Sequence, residues 1–334
     1  YNAGLKFAMV SCTNFSKNGF FTGAVLRTMG RAWEEKGFAP KGFLAYLSDP
    51  AQVGFPNTMV DRIAVSPDDA VRARMEALEL DSSVIVTEEN RYWAIEDVFP
   101  GGRPEFDRAK GVFMCPNFAD VKKYEDMKLR VLNMSHTTFA SLGVLLGNRG
   151  AYGIYKCMQE PRLVEIITQI MDIVRGVIER PAAIDPADFI ADTFDRLNNP
   201  NIPDDPMRIA LNMSTKITPR LMETYWEALE KGCGAERLSV ILMAAAGCLR
   251  YCTGVDDLGA EYKLEDDTIR DTLVACGEAA KAGKPAREAF RPMLESRAVF
   301  GRDLFEEPAT LEALCALTDS MLKGCGAVRA TIGA

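Results

Sequence analysis

The spacing of apolar and polar positions changes once along the chain, near residue 117. Before that point the apolar positions form short runs. Leu5–Cys12 predicts a buried strand, and Phe20–Lys36 behind it has the period of an amphipathic helix. Further strands are predicted at Phe43–Leu47, Val84–Thr87, Tyr92–Ile95 and Val112–Met114, with a helix over residues 67–78. These strand–turn–helix units are too few to close a sheet, so we expect part of this domain upstream of Tyr1.

After Cys115-Pro116 every pattern is helical. A long helix is predicted from about Ala119 to Gly147, followed by a turn over residues 148–153. The later helices are predicted over 161–180, 186–197, 218–231, 236–253, 266–282, 286–297 and 309–323. The fold class is therefore α/β over residues 1–117 followed by an all-α domain over residues 118–334.

Composition narrows the function classes. The 334 residues carry 39 Lys and Arg against 47 Asp and Glu, a net charge of −8, which argues against a general nucleic-acid binder. The most apolar helix, Leu163–Ile178, is interrupted by charges and does not predict a membrane span. Nine scattered cysteines predict buried, reduced thiols in a cytoplasmic protein. With one histidine in the chain, a metal site has few ligands to use, so we predict metal-free chemistry.

That histidine belongs to the most informative stretch, YEDMKLRVLNMSH over Tyr124–His136. In an α-helix at ~100° per residue, Lys128 and His136 share one face, Glu125 joins it from a turn earlier, and Asn133 flanks it at ~140° from Lys128. A lysine, a histidine, an amide and a carboxylate on one surface can handle protons. The alternative is a solvated helix face with a structural histidine.

The segment SCTNFSKNG places Asn14 and Asn18 after the first predicted strand, where ligands of open α/β sheets bind. Each asparagine could donate to an oxygen that gains negative charge, or could cap the following helix. In FPNTMVDRI, Asp61 could accept from substrate hydroxyls or pair with a base such as Arg62.

RIALNMSTKITPR carries three cations, Arg208, Lys216 and Arg220, within thirteen residues. In a protein of net negative charge they suggest an anionic or polyhydroxylated ligand, although a solvated helix end is the commoner explanation of such a cluster. No glycine fingerprint lies between a strand and a helix, and GNRGAYG at 147–153 follows a helix and predicts a turn.

Together these blocks resemble the long-chain polyol dehydrogenase family, the group of mannitol dehydrogenases and mannonate or tagaturonate oxidoreductases. SCTNFSKNG, FPNTMVDRI, YEDMKLRVLNMSH and RIALNMSTK occur in the family's order, with RYWAIEDVFPGGRP between the second and third. The resemblance implies that residues 1–117 are the later part of a Rossmann-type domain and that its glycine loop lies upstream.

The resemblance also implies roles. Lys128 would be the general acid/base, with its pKa lowered by burial. Asn14 and Asn133 would donate to the developing alkoxide, and Asn14 would also face the cofactor. His136 would orient the reacting oxygen, and Glu125 would pass protons to solvent.

Asp61, Arg208 and Lys216 match family positions that contact the substrate. The cofactor implied is NAD, with NADP an alternative, and the partner is a small sugar acid or polyol; the oligomeric state is left open. Departures from the family pattern at Thr13, Met134 and Asn212-Met213 affect substrate choice.

Arg220, four residues beyond Lys216, resembles the pattern of the uronate reductases more than that of the mannitol enzymes. An extra cation suits a substrate with a carboxylate, so the expected reaction is fructuronate reduction to mannonate. The alternatives are mannitol 2-dehydrogenase, tagaturonate reductase, or a truncated sugar-acid-binding fragment without catalysis.

Overall fold

The computed structural model describes residues 4–80, 84–89 and 91–334, which form two compact units. The first unit comprises Tyr1–Ala64, Thr87–Met127 and Glu179–Ile184; the second comprises Val65–Val86, Lys128–Ile178 and Asp185–Ala334.

Short strands and four helices make up the chain as far as Met127. The strands are β1 (Phe7–Ala8), β2 (Val53–Gly54), β3 (Thr58–Asp61), β4 (Ala64–Val65), β5 (Val86–Thr87), β6 (Tyr92–Glu96) and β7 (Val112–Cys115). The helices are α1 (Asn18–Glu35), α2 (Phe43–Ser48), α3 (Asp69–Ala77), which lies in the second unit, and α4 (Phe118–Met127), with a 3₁₀ turn at Phe106–Arg108.

The sheets of the first unit are small and mixed. β1 pairs in parallel with β2, with Phe7 opposite Val53. β3 pairs antiparallel with β6, and β6 pairs in parallel with β7, so β6 is the central strand of three. Helix α4 covers this sheet, and the Tyr92 hydroxyl donates to the carbonyl of Tyr124 at 2.8 Å. The buried side chains between them form the unit's core.

The second unit is helical. Beyond Met127 its elements are a π-helical segment at Lys128–Asn133, α5 (Met134–Thr138), a second π segment at Phe139–Gly143, α6 (Gly153–Met158), α7 (Pro161–Val177), α8 (Pro186–Leu197), α9 (Pro206–Ala210), α10 (Ser214–Ile217), a third π segment at Thr218–Met222, α11 (Glu223–Glu230), α12 (Ala235–Tyr251), α13 (Arg270–Lys281), α14 (Ala286–Ala289), α15 (Arg291–Leu294), α16 (Arg297–Phe300), a 3₁₀ turn at Leu304–Glu306, α17 (Pro308–Met321) and α18 (Ala327–Ile332). Helix α12 is buried along most of its length because it packs against α7, α11 and α17.

The predicted fold class is confirmed. Every strand of the described residues ends by Cys115, and only one isolated bridge, between Val255 and Glu261, lies beyond it. The turn predicted over 148–153 is also present, with positive φ at Gly147, Gly150 and Tyr152. No helix in the described part of the chain is long and apolar enough to cross a membrane.

Two strand predictions were wrong. The run Leu5–Cys12 is neither a long strand nor buried, since only Phe7–Ala8 pair and Leu5 is 65% exposed. Phe43–Leu47 belongs to helix α2: its apolar run was too short for periodicity to separate strand from helix. This helix packs against α1, where Phe43 stacks on Trp33 with ring centroids 6.2 Å apart.

Several helix boundaries differ from those predicted. Helix α7 ends at Val177, before the predicted Arg180, and α13 begins at Arg270, four residues later than expected. The predicted helix over 286–297 is two short helices, α14 and α15, and α16 begins at its last residue, because Pro292 opens a new turn at α15 and Ser296 leaves the helical conformation.

The nine cysteines are free thiols, but not all are buried. Cys12 and Cys325 are exposed and Cys233 is partly exposed, while the remaining six lie inside. The three accessible thiols correct the expectation that all nine are core residues.

Candidate active site

The segment Lys128–Asn133 is a π-helix, and the sequence had predicted an ordinary α-helix. Its i to i+5 hydrogen bonds widen each turn by one residue, so positions five apart come close to one face. Lys128 and Asn133 are such a pair, although an α-helix would separate them by ~140°. The segment contains no Gly or Pro, so nothing in its residue types signalled the wider turn.

The predicted residues of this turn are buried. Lys128 is 2% exposed, Asn133 is 8% exposed and His136 is 5% exposed. The Nδ2 atom of Asn133 is enclosed and has no hydrogen-bond partner among the described residues. A buried donor without an acceptor costs free energy, which an incoming oxygen atom would recover. This atom therefore fits the predicted role of donor to a substrate oxygen.

The ring of His136 is held by its own helix. Its Nδ1 lies 3.0 Å from the carbonyl oxygen of Leu132, and because a carbonyl can only accept, Nδ1 carries the proton. The other nitrogen, Nε2, faces Oδ2 of Asp204 at 3.6 Å, longer than an ordinary hydrogen bond.

Asp204 connects this histidine with a second predicted residue. Its Oδ1 accepts from Nη2 of Arg208 at 2.7 Å and from Nε at 3.1 Å. Burial pushes the pKa of Asp204 upward, but His136 and Arg208 outweigh it and hold that pKa below its ordinary value. Asp204 is therefore a carboxylate at neutral pH.

Lys216 lies beside the same group of charges. Its Nζ donates to the carbonyl of Ile209 at 2.8 Å and to that of Leu211, which leaves one of its three N–H groups for a ligand. Burial, together with the positive charges of Arg220 and Arg208, lowers the pKa of Lys216 to about 8. This ammonium group therefore loses its proton just above neutral pH.

Arg220 reaches the π-helical turn from another π segment, Thr218–Met222. Pro219 lacks the N–H that an α-helix needs, which accounts for the wider turn there. Nη1 of Arg220 donates to Thr137 Oγ1 at 2.9 Å and to the carbonyl of Asn133 at 3.3 Å. No carboxylate in the described part of the chain pairs with this guanidinium. Burial first, and the charge of Arg208 next, lower the pKa of Arg220 to about 10.

The π-helical turn is anchored by Arg130, whose side chain is 2% exposed. Its guanidinium contacts Glu227 at 2.5 and 2.9 Å and Glu223 at 3.1 Å, both on helix α11. Charged hydrogen bonds of this kind fix orientation as well as contribute energy. They hold the segment that carries Lys128 and Asn133 against α11.

In the first unit, Glu125 lies on α4 and is 2% exposed. It accepts a hydrogen bond from the Ser16 hydroxyl at 2.6 Å. Burial raises the pKa of Glu125 above its ordinary value, and the bond from Ser16 partly offsets this. A carboxyl group that takes up a proton more readily than usual suits the predicted relay.

The two asparagines after β1 differ. Asn18 is a structural residue, because its Nδ2 donates to backbone carbonyls such as that of Thr58 at 3.0 Å while its Oδ1 accepts from the Thr58 amide at 2.9 Å. The cap of α1 comes from Asn57, whose Oδ1 accepts from the amides of Gly19 and Phe20. Asn14 is exposed in the loop at the carboxyl end of β1.

Asp61 is fully buried at the end of β3. Its neighbour Arg62 directs Nε to Thr87 Oγ1 at 2.7 Å and to the carbonyl of Glu88 at 3.2 Å. The block RYWAIEDVFPGGRP has a structural use here: Glu96 accepts from the side chain of Asn57 at 2.7 Å, and Asp97 binds Arg103 at 3.0 Å.

The predicted site residues thus lie in both units. Lys128, Asn133, His136, Arg208, Lys216 and Arg220 belong to the second unit, and Asn14, Asp61 and Glu125 belong to the first. Sequence reasoning missed Asp204 and Arg130. The only signal for Asp204 was its position four residues before Arg208 in DDPMR, which suits an ion pair on one helical turn. Arg130 had no signal, since its glutamates lie more than ninety residues away.

Comparison with known proteins defines the family. The profile of the mannitol dehydrogenase C-terminal domain matches residues 120–322. The D-mannonate oxidoreductase of Thermotoga maritima is 31% identical over 99% of this chain and 64% of its own length. The mannitol 2-dehydrogenase of Aspergillus oryzae is 33% identical over 91% of this chain and 57% of its own.

Among solved structures, a ternary complex of Pseudomonas fluorescens mannitol 2-dehydrogenase with NAD and D-mannitol superimposes with a TM-score of 0.80 at 25% identity. It covers 99% of this chain and 63% of that one. A substrate-free D-sorbitol dehydrogenase has the same fold, with a TM-score of 0.77 at 23% identity. The chain belongs to the mannitol dehydrogenase family, as its motifs predicted, and it spans less than two thirds of the length of these relatives.

Proposed function

We propose that the protein containing this chain is an NAD-dependent, metal-independent oxidoreductase that interconverts a keto sugar acid and its aldonate. The preferred reaction is reduction of fructuronate to mannonate. The main support for an acidic substrate is Arg220. This partly buried cation contacts the π-helical turn and has no carboxylate partner among the described residues. A buried cation of this kind is stabilised by an anionic ligand.

The proton chemistry is assigned to the π-helical turn. During reduction, the ammonium group of Lys128 gives its proton to the substrate's carbonyl oxygen, and during oxidation the amine takes it back. Asn133 donates through Nδ2 to the oxygen as negative charge develops on it. His136 orients the same oxygen through Nε2, and Glu125 exchanges the proton with solvent.

The reaction also needs a hydride donor and acceptor, and none of these side chains can carry a hydride, so a cofactor must do so. NAD, when bound, supplies the hydride in its reduced form. Asn14 fits a contact with this cofactor, since it is exposed at the carboxyl end of β1, where ligands of parallel sheets bind. The chain has no glycine fingerprint, so no residue is assigned to the pyrophosphate.

The three cations divide the substrate contacts. Arg208 is neutralised by Asp204, and so suits hydroxyl groups. No carboxylate of the described residues forms an ion pair with Lys216 or Arg220, so these two cations suit the substrate's own carboxylate. Asp61, from the first unit, is assigned to a substrate hydroxyl.

Mannitol 2-dehydrogenase is the second candidate, favoured by the similarity to the Aspergillus and Pseudomonas enzymes. Its substrates carry no carboxylate. The third candidate, tagaturonate reductase, does use a keto sugar acid, so Arg220 does not separate it from fructuronate reductase.

Replacing Arg220 by Leu tests the substrate class. Loss of a hydrogen bond to a charged group costs about 1.5–3 kcal/mol, so we expect kcat/KM for fructuronate to fall by about 10- to 150-fold. The value for fructose should change far less, because the lost partner is absent from it. Arg297→Leu, which removes only an exposed ion pair with Glu306, is the control. Equal losses on both substrates would assign Arg220 a structural role.

The Lys216 pKa of about 8 predicts a pH effect. As pH rises through about 8, Lys216 loses its charge, so binding of a carboxylate substrate should weaken while binding of fructose should not. The measurement is the ratio of kcat/KM for fructuronate to that for fructose between pH 6.5 and 9.5, in which the shared proton-transfer step cancels. In Lys216→Met this pH dependence should vanish. A ratio that is flat in the wild type would contradict the assignment.

A further inference from the structure

Asp204 is buried, charged and placed between two site residues, yet the proposed reaction gives it no role. Its relative exposure is 2%. Its own backbone is fixed, since its amide donates to the carbonyl of Ile202 at 2.8 Å and its carbonyl accepts from Ile154 at 3.1 Å. A carboxylate on such a rigid support has a defined direction.

The two oxygens of this carboxylate have different partners. Oδ1 takes both hydrogen bonds from Arg208, whereas Oδ2 is enclosed, has no hydrogen bond from any described residue and faces Nε2 of His136 at 3.6 Å. The ring's other nitrogen is already bonded to Leu132. The imidazole is thus fixed at Nδ1 by its helix, and Asp204 lies beside Nε2, the nitrogen assigned to the substrate oxygen.

We propose that Asp204 is a positioning residue that sets the His136 ring and the Arg208 guanidinium in one arrangement, so that both meet the same substrate. The proposal rests on the proposed function for its consequence in catalysis, but not for its geometry. A carboxylate that orients an imidazole through one nitrogen is a recurring arrangement in enzyme sites.

A further observation supports this assignment. The pKa of Asp204 lies below its ordinary value in spite of burial, because His136 and Arg208 outweigh the desolvation. The charge therefore persists at the pH where the site works.

The test follows the ring nitrogens of His136, the only histidine of these 334 residues. In the untagged protein labelled with ¹⁵N-histidine, the pair of nitrogen signals that disappears in His136→Gln belongs to this ring. Asp204→Asn keeps the shape of the side chain and removes its charge, and we expect it to shift the Nε2 signal. Asp205→Asn is the matched control: Asp205 caps helix α9 through Met207 and does not touch His136, and asparagine caps equally well. An Nε2 signal that is unchanged in Asp204→Asn would overturn the proposal.

Catalysis gives a second, separate readout. Loss of a partner that orients a functional histidine costs about 10- to 100-fold, and we expect Asp204→Asn to lower kcat on this scale. In a His136→Gln background the same substitution should add little, because the ring through which it acts is gone. An equal loss in both backgrounds would contradict the proposal.

Arg208→Gln covers the case in which Asp204→Asn does not fold. It frees Oδ1 without touching the histidine, so we expect the Nε2 signal to move, and an unmoved signal would overturn the proposal. The nitrogen signals are measured without substrate. A protein that is inactive on every sugar acid would therefore refute the proposed function, while the role of Asp204 would still be decided by the shift of the Nε2 signal.

Discussion

Replacing Lys128 by Met should lower kcat by about 10²- to 10⁴-fold, the usual contribution of a general acid/base. Methionine keeps the aliphatic stem and nearly the same volume at a position that is 2% exposed, so the fold should survive. Because the proton moves only in the transition state, kcat and kcat/KM should fall together.

Lys122→Met is the control for this result. Lys122 lies on α4, one and a half turns before Lys128, and pairs with Asp126 at 2.6 Å. Its replacement removes a lysine from the same stretch without changing the π-helical turn, and activity should stay within a few-fold of the wild type. A Lys128→Met protein that is folded and within tenfold of wild-type turnover would show that another group moves the proton.

The double substitution Glu223→Gln and Glu227→Gln should lower the free energy of unfolding by about 3–5 kcal/mol. Arg130 is 2% exposed, whereas the two glutamates are each 40% exposed, so the change removes both of these counter-charges from a buried guanidinium. Equilibrium unfolding in urea, followed by circular dichroism, measures the loss.

Two further variants identify the cause. Glu295→Gln breaks an exposed ion pair with Arg291 and should cost less than about 1 kcal/mol. Adding Arg130→Met to the double variant removes the buried positive charge and should restore much of the lost stability. A double variant no less stable than Glu295→Gln would mean that the buried ion pairs do not hold the turn.

The sequence predicted the order of elements because apolar spacing is a local property. Helix α8 at Pro186–Leu197 carries a clear period and an Asp-Pro start, and its predicted bounds were right. Short apolar runs lack this information. Phe43–Leu47 lies in helix α2, where Phe43 stacks on Trp33 of α1, a contact that no local pattern contains.

The site was predictable where residue types carry chemistry in a recognisable block. Lys128, Asn133 and His136 could be singled out from one helix and from the family resemblance. Their geometry could not, because the π-helical turn depends on packing and on Arg130 binding helix α11. Asp204 was missed for the same reason: it acts across space on a histidine that precedes it by 68 positions.

We propose, above all, that this chain carries the proton and substrate chemistry of an NAD-dependent keto sugar acid reductase. NADH consumption by the full-length protein with fructuronate, tagaturonate and fructose, with Lys128→Met as the blank, tests it most directly. If kcat/KM is highest for fructose, the protein is a mannitol 2-dehydrogenase. If kcat/KM is highest for tagaturonate, the protein is a tagaturonate reductase. Calorimetric binding of a sugar acid without turnover would support a binding fragment. We expect the fastest NADH loss with fructuronate and almost none in the blank; no NADH loss with any of the three substrates would refute the proposal.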